Sequence, residues 1–252
     1  MQHVAAPAAE EEELVVRMNR VIETIPAKRR AVGGLAVAAA LALSACAVSV
    51  TTDFLHDDRI DHTARANGPA GIIGDSVGLG LVVYGGLWTR LGQDGWGPVR
   101  SFSVLGMHAA PSSPTDSNTV ARWVGTFRKE GVSPKVLVVV AGSNDVGYPG
   151  GGDAVVDASR IETAMRAIGS TPTVWTTISH PNVTFMNAWN AALKSVATRH
   201  ANLHVCDWAA QLPSHPSYLE KDKVHMTVGP TGGYVAMQHY VDSCVRLATG
   251  KA

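Results

Sequence analysis

Five short apolar segments, separated by longer stretches with helical periodicity, constrain the fold of this chain more than any other feature. The clearest is Val136–Val140, in which four of the five residues are β-branched valines. A run of this kind is typical of a strand that is buried on both faces of a sheet. The other four predicted strands are Ala70–Gly74, Val99–Leu105, Thr173–Ile178 and Leu203–Asp207.

Segments with helical spacing of apolar residues lie between these strands or follow them. They are Val77–Leu91, Asn118–Glu130, Asp153–Ile168, Asn182–His200 and Gly229–Leu247. Strands that alternate with helices predict βαβ units and a parallel sheet. We therefore expect residues 70–252 to form an α/β domain, a three-layer α/β/α sandwich with a five-stranded parallel sheet. Ligands of such folds bind beyond the carboxyl ends of the strands.

The front of the chain has the pattern of a targeting segment. Lys28, Arg29 and Arg30 directly precede an uncharged, mostly apolar run over residues 31–50. A basic segment followed by an apolar one predicts a signal or membrane segment whose basic end stays in the cytoplasm. The sequence thus divides into a cytoplasmic or n-region segment 1–30, a signal or transmembrane segment 31–50, a linker 51–69 and the domain 70–252.

Two interpretations of the apolar run remain open. Leu43–Cys46 matches a lipobox, which favours a lipoprotein with lipid on Cys46. The apolar residues continue past Cys46 to Val50, which favours an uncleaved single-pass helix, since about twenty helical residues span a bilayer core. Either interpretation places the domain on the outer face of the cell membrane.

Charge and cysteine content exclude some classes of function. The 21 basic and 21 acidic side chains balance, and no basic stripe of the kind that binds nucleic acid is present. Besides Cys46, the chain has Cys206 and Cys244, which form either a disulfide or two buried thiols. The histidines show no metal-ligand spacing, so we expect neither a metal nor a cofactor.

Two short motifs follow the first and the third predicted strand, and another lies after the fifth strand, just before the last helix. They are Gly74–Val77, Gly142–Asp145 and Asp222–His225, with the sequences GDSV, GSND and DKVH. Their order and placement resemble those of the SGNH (GDSL-like) hydrolases, serine enzymes with a flavodoxin-like fold. The resemblance covers roughly residues 70 to 245, with Val77 in place of the leucine in the GDSL label.

The resemblance implies a role for each motif residue. Ser76 would be the nucleophile, which needs an adjacent base because its hydroxyl is a poor nucleophile at neutral pH. His225 would be that base, and Asp222 would orient the imidazole and stabilise its charged form. The family's oxyanion-hole donors correspond here to the N–H groups of Ser76 and Gly106 and the side-chain amide of Asn144.

A finer resemblance concerns the substrate. An Asp-Trp pair at residues 207–208, ahead of the motif at Asp222–His225, is similar to the SGNH domains of membrane acyltransferases that O-acetylate peptidoglycan and other surface glycans. We therefore expect a serine esterase acting on short acyl esters of cell-envelope carbohydrate or lipid. The alternatives are an O-acyltransferase, supplied by a separate membrane acyltransferase partner, and an inert surface-binding lipoprotein.

Overall fold

A six-stranded mixed sheet organises the chain in the computed structural model, which describes residues 56–111 and 116–251. The strands are β1 (His56–Asp61), β2 (Gly68–Gly74), β3 (Trp96–Val104), β4 (Val136–Val140), β5 (Thr173–Thr176) and β6 (Leu203–Cys206). Their order across the sheet is β1-β3-β2-β4-β5-β6. Strands β2 to β6 run parallel, as predicted, and β1 pairs antiparallel with β3.

Helices cover both faces of the sheet. They are α1 (Ser76–Val83), α2 (Leu87–Gln93), α3 (Val120–Lys129), α4 (Ala154–Ile168), α5 (Val183–Ala197) and α6 (Gly233–Thr249). Helices α3, α4 and α5 pack on one face, and α1, α2 and α6 pack on the other. The predicted three-layer α/β/α sandwich is therefore confirmed.

The central strand β4 separates two hydrophobic cores. Val136, Val138 and Val140 contribute to the core beneath α1, α2 and α6. Leu137 and Val139 point the opposite way, into the core with α3, α4 and α5. All five side chains are buried because successive residues of a strand face opposite sides of the sheet.

Strand β1 corrects the predicted linker and the predicted number of strands. The polar, charged sequence of residues 51–69 predicts a linker, yet His56–Asp61 pairs along its whole length with β3. Its sequence, HDDRID, lacks apolar alternation, so hydrophobic periodicity cannot reveal it. Backbone pairing with β3 and an ion pair between Asp58 and Arg100 hold it in place.

The helix predicted over Val77–Leu91 is instead two helices, α1 and α2. Gly86 has a φ of 74°, a left-handed conformation that interrupts an α-helix. Gly85 lies where a Cβ atom would come within 2.6 Å of the backbone oxygens of Leu81 and Tyr234. The turn between α1 and α2 therefore lies directly against the start of α6.

The predictions for the front of the chain lie outside the described residues. This applies to the segments 1–30 and 31–50 and to lipid attachment at Cys46. Within residues 56–111 and 116–251, no helix is long and apolar enough to cross a membrane.

Candidate active site

The loop after β2 carries Asp75 and Ser76. Asp75 caps α1, because its Oδ1 accepts hydrogen bonds from the backbone N–H groups of Val77 (2.9 Å) and Gly78 (3.4 Å). The backbone N–H of Asp75 donates to the carbonyl of Val140 at the end of β4 (2.8 Å). These bonds place Ser76 at the first residue of α1, at the carboxyl edge of the sheet.

The loop before α6 carries the other two predicted residues of the triad. Asp222 Oδ1 accepts from the backbone N–H groups of Val224 (2.8 Å) and His225 (2.9 Å). Its Oδ2 lies 2.7 Å from His225 Nδ1. One carboxylate therefore shapes the turn and orients the imidazole at the same time.

His225 links the two loops. Its Nε2 lies 2.9 Å from Ser76 Oγ, although the two residues are 149 positions apart in the chain. An ionised carboxylate only accepts hydrogen bonds, so Nδ1 carries the proton that bonds to Asp222. In neutral His225, Nε2 is then free to accept the proton of the Ser76 hydroxyl.

Asp222 stays ionised over the physiological pH range. Partial burial raises its pKa, but the hydrogen bonds from the His225 ring and from the backbone of His225 and Val224 outweigh burial and lower the pKa to about 2.

The turn that carries Asp222 and the residues beside it are held by hydrogen bonds from Ser179, Glu220 and Trp208. Lys223 has a φ of 61°, and its carbonyl accepts a hydrogen bond from Ser179 Oγ (2.7 Å). The backbone N–H of Glu220 donates to the carbonyl of His225 (2.9 Å), and Trp208 Nε1 lies 3.3 Å from Met226 Sδ. These contacts limit the movement of the histidine.

The loop after β4 places Asn144 beside the Ser76 loop. Asn144 Nδ2 donates to the carbonyl of Met107 (3.2 Å) and lies 3.5 Å from Asp75 Oδ2, which is long for a hydrogen bond. Gly106, in the turn after β3, has a φ of 69° and directly precedes Met107. The structure thus brings the loops of the predicted oxyanion-hole residues together through Met107.

Ser143 has no role in the family resemblance, but the structure gives it a partner. Ser143 Oγ donates to Asp75 Oδ2 at 2.6 Å. Burial raises the pKa of Asp75, while the hydrogen bonds from Ser143 and from the N–H groups of Val77 and Gly78 oppose that shift. Asp75 and Ser143 are each the second residue of a motif that follows a strand, and this shared position is the signal that could have identified the pair.

Cys206 and Cys244 are joined by a disulfide in the structure. The bond connects the end of β6 to α6, so it closes the stretch of chain that contains Asp222 and His225. Among the described residues, no group of three His, Cys, Asp or Glu side chains is placed to hold a metal ion.

Comparisons with known proteins identify the class of this fold. A scan against protein-family models finds no match, and no curated protein matches the chain. Among solved structures, the C-terminal catalytic domain of Streptococcus pneumoniae peptidoglycan O-acetyltransferase A is 16% identical, with a TM-score of 0.54. The alignment covers 74% of this chain and 94% of that domain.

An acetyl esterase variant with an acetate ion is also similar, at 14% identity and a TM-score of 0.50. That alignment covers 73% of this chain and 99% of the esterase. These solved structures share a fold of the SGNH (GDSL) type, and the chain has that fold.

Proposed function

We propose that this protein is a serine esterase that cleaves short acyl esters through Ser76, His225 and Asp222. The observation that carries the proposal is the continuous hydrogen-bonded chain from Ser76 Oγ to His225 (2.9 Å) and from His225 to Asp222 (2.7 Å). A nucleophile, a base in contact with it and a third group that orients the base form the arrangement of nucleophilic catalysis.

The chemistry runs in two halves. Ser76 Oγ attacks the acyl carbon while its proton moves to His225 Nε2, and Asp222 stabilises the imidazolium. His225 then returns the proton to the leaving alcohol, which leaves an acyl group on Ser76. Water attacks this acyl-enzyme, again giving a proton to His225, and the carboxylic acid is released as Ser76 recovers its proton.

Each tetrahedral intermediate carries a negative oxygen that needs donors. We assign this role to the backbone N–H groups of Ser76 and Gly106 and to Asn144 Nδ2. Loss of one such donor lowers kcat by about 10² to 10³-fold in serine hydrolases.

A second candidate is an O-acyltransferase, in which a sugar hydroxyl replaces water in the second half. The feature that favours it is Asp207–Trp208 at the end of β6. Trp208 is buried, and it contacts Met226, the residue after His225. The fold is also that of a peptidoglycan O-acetyltransferase domain. In this proposal the acceptor is a cell-envelope glycan or glycolipid, and a membrane acyltransferase partner supplies the acyl group.

The cellular setting belongs to the same proposal. The basic residues before the apolar run 31–50 support an exported protein that is held at the outer face of the cell membrane. The anchor is either lipid on Cys46 or an uncleaved helix. Mass measurement of the mature protein distinguishes them, because a lipoprotein begins at a modified Cys46.

The first prediction tests the nucleophile in the full-length chain purified in detergent. Ser76→Ala should reduce turnover of p-nitrophenyl acetate by at least about 10³-fold, because the acyl-enzyme cannot form. Ser243→Ala is the matched control, since this exposed serine on α6 bonds only to the carbonyl of its own helix among the contacts described. It should retain full activity.

A fluorophosphonate probe provides a second measurement. Wild type and Ser243→Ala should be labelled, and Ser76→Ala should not. If wild type neither hydrolyses short acyl esters nor reacts with the probe, the inert surface-binding alternative is favoured. If it reacts, the ratio of free acid to acylated glycan separates the esterase from the transferase.

A further inference from the structure

Three consecutive residues after β3 are each bonded to a side chain from the loop after β4. The carbonyl of Met107 accepts from Asn144 Nδ2 (3.2 Å). His108 Nδ1 lies 2.6 Å from the hydroxyl of Tyr148. The backbone N–H of Ala109 donates to Asp145 Oδ2 (3.2 Å). The segments carrying Gly106 and Asn144 are therefore fastened at three successive points.

The middle fastening is a pair of side chains with several contacts. The rings of His108 and Tyr148 stack with their centroids 3.8 Å apart. The Tyr148 hydroxyl also bonds to Asp116, and Arg160 lies 5.1 Å from the centre of the Tyr148 ring. Tyr148 directly follows the 3₁₀ turn Ser143–Gly147, which contains Asn144.

The protons of this cluster can be placed in a consistent order. Burial lowers the pKa of His108, with Arg160 acting in the same direction and Asp116 and the Asn144 backbone opposing them, which favours the neutral ring. The carboxylate of Asp116 only accepts, so Tyr148 donates to it. His108 Nδ1–H can then donate to the Tyr148 oxygen, so that the imidazole, the phenol and the carboxylate form one donor–acceptor chain.

We propose that His108 and Tyr148 are positioning residues of the oxyanion hole, which fix the distance between the Gly106 backbone and the Asn144 amide. The inference rests on the proposed function, because it concerns the same acyl-transfer site. Neither residue needs to touch the substrate. Their effect comes from geometry, since misplacement of a catalytic group by about 1 Å costs as much as 10²-fold in rate.

Tyr148→Phe is the variant that removes both bonds of the hydroxyl, to His108 and to Asp116. It removes the hydroxyl but keeps the ring that stacks on His108. We expect kcat for p-nitrophenyl acetate to fall about 10-fold, with KM changed less than about twofold, because a looser oxyanion hole weakens the transition state more than the substrate complex. Thermal unfolding of each variant is recorded alongside.

A double-mutant cycle with Asn144→Ala tests the mechanism. If Tyr148 acts through Asn144, Tyr148→Phe should have almost no further effect on kcat once Asn144 is alanine. If the two losses multiply, Tyr148 acts elsewhere and the proposal is wrong. An unchanged kcat in Tyr148→Phe with normal unfolding also overturns it.

His108 supplies an independent pair of variants, which serves even if Tyr148→Phe does not fold. His108→Asn keeps a side-chain amide near the position of Nδ1 and should retain most of kcat, whereas His108→Phe keeps only the ring and should lose as much as Tyr148→Phe. Equal activity of the two His108 variants contradicts the proposal. Absence of Ser76-dependent turnover in wild type would instead remove the proposed function itself.

Discussion

Asp222 divides its two carboxylate oxygens between backbone and side chain. Oδ1 holds the turn through the N–H groups of Val224 and His225, and Oδ2 holds the imidazole. An asparagine could keep the backbone bonds through its oxygen, while its amide would face the ring nitrogen as a donor. The ring would then be driven to the wrong tautomer, with its proton directed towards Ser76.

We therefore predict that Asp222→Asn folds normally but loses about 10³ to 10⁴-fold in kcat. Steady-state hydrolysis of p-nitrophenyl acetate checks the loss, and circular dichroism checks the fold. Glu220→Gln, two residues earlier on the same loop, is the control and should remain active. Activity of Asp222→Asn within tenfold of wild type would show that the carboxylate does not orient the base.

Gly142 has both a conformation and a contact that require glycine. Its φ is 135°, and a Cβ atom there would lie 2.4 Å from the indole of Trp189. We expect Gly142→Ala to lower the free energy of unfolding by about 3 kcal/mol or more, from backbone strain and overpacking together. Urea denaturation measures the change.

Gly125 provides the matched control for that substitution. It lies inside α3, and a Cβ atom there would meet nothing within 4 Å. Gly125→Ala should stabilise the protein by about 0.5 to 1 kcal/mol, because alanine is the better helix former. Equal effects at the two positions would contradict the role given to Gly142.

At the scale of elements, the 3₁₀ turn Ser143–Gly147 contains a buried acid that the catalytic proposal does not use. Asp145 is completely buried, and its Oδ1 has no hydrogen-bond partner among the described residues. Burial raises its pKa to about 8, although the Ala109 N–H and Arg160 lower it; Asp157 and Asp75 add to the rise. The folded protein therefore keeps a proton here that the unfolded chain releases near pH 4.

This raised pKa predicts a pH dependence of stability. Between pH 5 and 8 the folded state binds more protons at Asp145 than the unfolded state does, so the free energy of unfolding falls as pH rises. Asp145→Asn removes this contribution. The stability of wild type relative to Asp145→Asn should drop by roughly 1 kcal/mol or more from pH 5 to pH 8. If the free energies of unfolding of wild type and Asp145→Asn change equally across that range, folded Asp145 is already ionised at pH 5.

Strands and helices could be predicted where burial of their side chains leaves a pattern of apolar residues in the sequence. Val136–Val140 was predicted with its observed bounds, because a strand buried on both faces has a continuous apolar sequence. Strand β1 was missed because pairing with β3, rather than burial of an apolar face, holds it in the sheet. The break between α1 and α2 comes from the left-handed conformation of Gly86, a backbone angle that the spacing of apolar residues does not report.

At the scale of the whole molecule, the Cys206–Cys244 disulfide closes a long stretch, with a sequence separation of 38. A loop of this length corresponds to about 3 to 4 kcal/mol of stabilisation if the bond acts by restricting the unfolded chain. We predict that Cys206→Ala/Cys244→Ala lowers the free energy of unfolding by about 2 to 4 kcal/mol.

Reductant provides the control for this prediction. Dithiothreitol should destabilise wild type and Cys46→Ala alike and leave the double variant unchanged in urea unfolding. If wild type unfolds identically with and without reductant, the two cysteines are free thiols in solution.

The residues of the candidate site also differ in how far the sequence predicts them. Ser76, Asn144, Asp222 and His225 lie in motifs that follow strands or precede a helix, and parallel strands bring such loops to one edge. His108 and Tyr148 lie outside these motifs. They meet only because the segment after β3 and the loop after β4 come together in the fold. Sequence analysis can therefore find groups assigned to the chemistry more readily than groups that hold them in place.

The charged sequence of β1 has a consequence for behaviour at high concentration. An open edge strand invites strands from other molecules to dock along it, which leads to aggregation. Four of the six residues of β1 carry charge, and Asp58 and Arg59 are exposed. A second molecule that paired with β1 would have to desolvate these charged side chains. The β1 edge of the sheet therefore disfavours polymerisation by strand addition.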